Sequence, residues 1–191
     1  MRTLALFSLS SLLIWAAPPQ SDYLSAKHKL ASIQQRRLLP GSSVNFTARE
    51  IDAWASVEIP KEIPHGFREP HVQLGESAAT GTAMVNFLKM RQANGQTTNW
   101  FMSKLLEGER PLKVSVRLHS SGGHCTVDLT RVEISDVVAE GSVLDFLLRT
   151  FFLSVYPQAK IGQPFQLGYN IERLEIHLSG VVARIGPPSH R

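Results

Sequence analysis

The sequence predicts an α+β fold: a long curved antiparallel sheet wrapped around an apolar helix, with an N-terminal helix in front. Three patterns predict it. Residues 112–129 alternate apolar and polar side chains across a turn rich in serine and glycine, the period-2 signature of paired strands. Residues 141–155 form an apolar run with almost no polar side, so a helix there must be covered by other structure. Tyr23, Ala26, Leu30 and Ile33 recur three and four apart, which marks one stripe of a helix.

The composition is that of a globular chain. It has 191 residues, 43% hydrophobic and 19% charged, which excludes a disordered or fibrous protein. A domain of this size buries roughly 70% of the surface its unfolded chain exposes, so its core needs no disulfide. Cys125 is the single cysteine. The net charge of +4 is concentrated near the start, because five of the 20 basic residues and one of the 16 acidic ones precede residue 41. The remainder is neutral. Nucleic-acid binding needs positive charge gathered on a folded face, so nucleic acid is not expected as a partner.

Residues 1–17 combine Arg2, the apolar run LALFSLSSLLIWAA and small residues at its end. This is the pattern of a secretory signal peptide, and the run is shorter than the ~20 residues of a comfortable membrane span. The expected location is outside the cytoplasm: periplasmic, extracellular, or anchored by an uncleaved N-terminus. The expected organisation is a signal peptide over 1–17, an amphipathic helix and linker over 18–43, one α+β domain over 44–186 and a loose tail over 187–191. Lys27, Lys29, Arg36 and Arg37 fall mostly off the apolar stripe of the first helix. They offer either a peripheral contact with an anionic membrane or a solvated face.

Pro40 and Gly41 are expected to end that helix. Thr47 and Glu50 have the spacing of a capping box and open a second helix through Trp54. Pro60, Pro64 and Pro70 suggest an irregular connection over 57–70. Val72 and Leu74 begin a strand. Thr80–Met90 reads as one strand apolar on both faces, and 96–107 as a short helix. Leu112–His119 is the clearest strand. Cys125, Val127 and Leu129 return from the turn, but Val132 and Ile134 have the opposite parity, which predicts a bulge at Thr130 or Arg131. Ser142 and Asp145 suggest a second capping box ahead of an apolar helix to Val155. Ile171–Leu178 and Val181–Ile185 form a last hairpin.

No catalytic signature is present. His119, His124 and Cys125 are metal-ligating types, but the cysteine shares the inward parity of Val127 and His124 does not, so an inert turn is the simpler reading beside a metal-dependent hydrolase. His65 and His71 fall in a loop. The sequence has no nucleophile elbow, zinc-helix motif, phosphate loop or dinucleotide fingerprint. No cofactor, catalytic residue or metal ligand is assigned. Asn45-Phe46-Thr47 matches a glycosylation sequon, which matters only in a eukaryotic host.

Phe46-Thr47-Ala48-Arg49-Glu50-Ile51-Asp52-Ala53-Trp54, then long strands, then the apolar helix Ser142–Val155, resembles exported envelope proteins of the LmeA and YpmS kind. The likeness covers about residues 44–185 and rests on element order. It implies part of a tubular lipid-binding (TULIP-like) module, with an apolar groove and no catalytic residues. The helix at 96–107 departs from that pattern.

The function expected is non-enzymatic binding of a hydrophobic ligand, a lipid chain, between the sheet and the apolar helix. Val85, Phe87, Val116 and Leu118 would line the groove from the strands. Leu147, Phe151 and Phe152 would line it from the helix, and Ile176 from the last hairpin. The alternative is an envelope interaction protein with a solid core and no ligand.

Overall fold

Thr47 marks the point where the chain passes from strand to helix. Its hydroxyl accepts from the Glu50 N–H, and the Glu50 carboxylate accepts from the Thr47 N–H, the reciprocal capping box expected there. The computed structural model describes residues 20–63, 65–93, 95, 107–149 and 161–187. In it this box joins β1 (Ser43–Thr47) to α2 (Ala48–Glu62), and α1 (Gln20–Gln34) precedes both. β2 (Phe67–Gly75) and β3 (Ala78–Val85) form a hairpin, followed by α3 (Phe87–Ala93). β4 (Arg110–Ser121), β5 (His124–Ile134) and the short β6 (Val137–Val138) lead to α4 (Gly141–Leu147). β7 (Phe165–Gln166), β8 (Ile171–His177) and β9 (Gly180–Ile185) close the chain.

The fold is α+β and its strand pairs are antiparallel. The larger sheet has the order β2-β3-β4-β5-β6, with β7 also on β5; the smaller has the order β1-β9-β8. At the tip of β4–β5, Gly122 and Gly123 both have positive φ, 55° and 77°, as a two-residue hairpin turn favours. The expected bulge is present. Ser115 faces Arg131 and Val116 faces Leu129, so Thr130 has no cross-strand partner, and its hydroxyl donates to the Ser115 carbonyl.

β8 crosses the tips of the larger sheet's two hairpins. The Ser77 N–H donates to Ile176 O, the Gly123 N–H to Glu172 O, and the Leu174 N–H to the Ser120 hydroxyl. Buried apolar residues form two clusters. Ala26, Ile33, Phe46, Ala183 and Ile185 unite α1 with the smaller sheet. Ala83, Val85, Phe87 and Met90 gather at the far end of the larger one.

Several boundaries differ from expectation. Thr80–Met90 is not one strand: β3 stops at Val85, and the Asn86 side chain accepts from the Lys89 N–H to start α3. Residues 57–70 are more regular than three prolines suggest, because α2 runs through Pro60 to Glu62 and β2 starts at Phe67. β2 absorbs Pro70 at a register shift between Arg68 and His71, with Glu69 at φ 52°. α1 ends at Gln34, ahead of Pro40, in a turn where Arg36 has φ 51°. Ser142 caps nothing: the residue before α4 is Glu140, which makes no side-chain cap bond. α4 is regular to Leu147, and Leu148 and Arg149 continue in a wider π-type turn. Residues 150–155 of the expected helix, the segment 1–17, residues 96–106 and residues 188–191 of the tail lie outside the described residues.

Candidate functional site

The bulge at Thr130 decides which side chains share a face. Val127 and Leu129 precede it, and Val132 and Ile134 follow it with opposite parity in sequence. The extra residue restores them to one side, where all four line a single cavity with Leu112, Val114 and Val116 of β4. Five of these seven are β-branched and stiff at χ1, so the sheet forms a firm floor. Across the register on β3, Ala83, Gly81 and Ala79 face Leu112, Val114 and Val116. Small residues there leave room beside the large ones.

The other walls come from different elements. Ile63 at the end of α2, Phe67 of β2, Val85 of β3, and Phe87 and Met90 of α3 close one end. Leu144 and Leu147 of α4, with Leu148 and Ile161, complete the lining. The space is about 210 Å³ and half open, and every lining side chain among the described residues is apolar. A buried water needs two to four polar partners, and this lining offers none. Chemically the described lining suits hydrocarbon.

Of the residues expected to form the groove, Val85, Phe87, Val116 and Leu147 line this cavity. Leu118 and Ile176 do not. They line a second cleft of about 540 Å³ between the two sheets, beside His119, Ser120, His124 and Arg173. Phe151 and Phe152 lie outside the described residues. Leu112, Val114, Val132, Ile134, Ile63 and Met90 were not expected to line a site. The first four carry a legible signal: unbroken alternation for Leu112 and Val114 on β4, and alternation that resumes on the correct face past the bulge for Val132 and Ile134 on β5. Ile63 and Met90 carry none, because Ile63 caps the end of α2 and Met90 lies within α3, which the sequence reads as strand.

The titratable groups do other work. His119 stands 3.7 Å from an oxygen of Asp128, and His124 Nδ1 lies 3.0 Å from the Gly122 carbonyl. Cys125 is buried, and desolvation pushes its thiol pKa up, away from the reactive thiolate. Among the described residues, no three His, Cys, Asp or Glu side chains gather to hold a metal.

Of the four basic residues near the start of the chain, Lys29 is committed to the fold. Its ammonium donates to both Glu50 oxygens and to the Asn45 carbonyl, at 2.7 Å each. Lys27 lies over the Tyr23 ring, and Arg36 and Arg37 are exposed. Glu50 is 4% exposed. Burial opposes its charge, but the bonds from Lys29, Ser25 and Thr47 outweigh that and hold its carboxyl below the ordinary value.

Among the described residues no helix is long and apolar enough to cross a membrane. No family model, curated protein or solved structure matches the chain. The cavity therefore stands on its own geometry.

Proposed function

We propose that the protein is an exported, non-enzymatic binder of a hydrophobic ligand, a lipid chain held in the apolar cavity between the larger sheet and α4. The observation that carries this reading is an unfilled space of about 210 Å³ without a polar lining side chain among the described residues. Apolar surface left facing water forfeits roughly 25 cal/mol per Å² that burial under a hydrocarbon would recover. A solid-cored interaction protein gains nothing from such a void, whereas a carrier needs it.

Two further features support the reading. Residues 1–17 have the pattern of an exported chain. α4 opens the apolar run to Val155 and turns Leu144 and Leu147 toward the cavity. In this reading the larger sheet curves around α4, as the resemblance to the LmeA and YpmS kind implies.

The test is native mass spectrometry of protein purified from cells, before and after solvent extraction, followed by titration with a fluorescent fatty acid. An extractable adduct and saturable uptake are expected, and Val114→Trp, which fills the cavity, should abolish both while the protein stays folded. A wild-type protein that carries no adduct and takes up no fatty acid or phospholipid would end the proposal.

A further inference from the structure

We infer that Leu118 is the end-stop of the cavity and sets the length of hydrocarbon chain it accepts. The inference rests on the reading of the cavity as the site of such a chain.

Leu118 belongs by register to the cavity's floor. Val116, two residues before it on the same face of β4, lines the cavity, and so does Val127, its direct cross-strand partner. Same-face neighbours along a strand are about 6.6 Å apart, and direct partners about 5 Å. Yet Leu118 itself lines the cleft on the other side, between the two sheets. The chain after residue 160 makes the same transition: Ile161 lines the cavity and Pro164 the cleft. The two spaces are therefore divided by about one layer of side chains, and Leu118 stands in it.

Two features make this stop firm. The Leu118 N–H donates to the Ser77 carbonyl at 2.8 Å, which ties its backbone to the β2–β3 turn. Ile176, 8% exposed, lies on the cleft side with Leu118. Beyond them the surroundings change character, with His119, Arg173 and His177 lining the cleft. The end-stop places the terminal methyl of the chain against Leu118, and the polar end leaves the cavity because the described lining offers it no partner.

The test measures affinity for saturated fatty acids of about eight to eighteen carbons, by displacement of a fluorescent analogue from wild type, Leu118→Ala and Val116→Phe. In wild type, affinity should rise about fourfold per methylene, the value of one buried CH₂, up to a limiting length and then level off. Leu118→Ala should move the limit to longer chains by about three carbons, the number it removes. Val116→Phe should move it to shorter ones. Leu118→Val, a milder truncation, should give a smaller shift of the same sign, which keeps the test open if the alanine variant fails to fold. Truncated variants that bind short chains normally and keep the wild-type limit would overturn the end-stop. Absence of binding by wild type at every length would instead overturn the cavity's proposed function.

Discussion

Gly180 shows how tightly a single residue can be specified. It begins β9 opposite Thr47, and a Cβ there would stand 2.0 Å from the Phe46 carbonyl oxygen. That oxygen is backbone and cannot rotate away, so β1 and β9 would have to separate. Gly180→Ala should cost at least ~2 kcal/mol, read as a lower midpoint in urea unfolding. Glu50 is the second such residue, serving the capping box, Ser25 and Lys29 together. Glu50→Ala should cost about 2–3 kcal/mol, one cap plus one charge-assisted bond. Its pH dependence has a definite sign. The folded carboxyl titrates below the ordinary 4.5, so its contribution is complete above that pH and is lost as pH falls through the lowered value. Unfolding measured between about pH 6 and 3 should show wild type losing stability toward acid. Glu50→Gln should lack that part of the loss.

At the scale of elements, α3 depends on one amide. Asn86→Ala removes the side-chain bond to the Lys89 N–H and should cost ~1 kcal/mol in chemical unfolding, with protection of α3 amides falling first in hydrogen exchange. The same residue explains a misreading. Val85, Phe87 and Met90 fit either a two-sided strand or a strand followed by a helix, and only the capping role of Asn86 separates them. Pro60 misleads in the other direction, since α2 simply continues past it to Glu62. By contrast, the Thr47–Glu50 box, the Gly122-Gly123 turn, the Thr130 bulge and the last hairpin were legible, because each rests on local chemistry. The cavity floor was half legible, through alternation in β4 and β5. The place of Leu118 was not: it has the parity of a lining residue and lines the cleft instead, where β8 packs across the hairpin tips. That crossing is tertiary and leaves no period in the sequence. The same holds for Lys29, whose charge reads as solvated surface until Glu50 and the carbonyl of Asn45 on β1 are brought to it.

For the whole molecule, the cavity makes ligand and stability one question. A ligand that binds only the folded state at a hundred times its dissociation constant adds ~2.7 kcal/mol. For a chain of this size that raises the melting temperature by about 5–10 °C. Addition of a fatty acid to delipidated protein should show that rise, and Val114→Trp should melt higher than empty wild type without responding to the lipid. A further consequence lies in the smaller sheet, where Ser43 pairs with Arg184 and Thr47 with Gly180. In that sheet β1 pairs only with β9, well over a hundred residues further along, and contacts so distant along the chain are slow to form. The smaller sheet should therefore close after the larger one, whose β2–β3 and β4–β5 hairpins join strands that are neighbours in sequence.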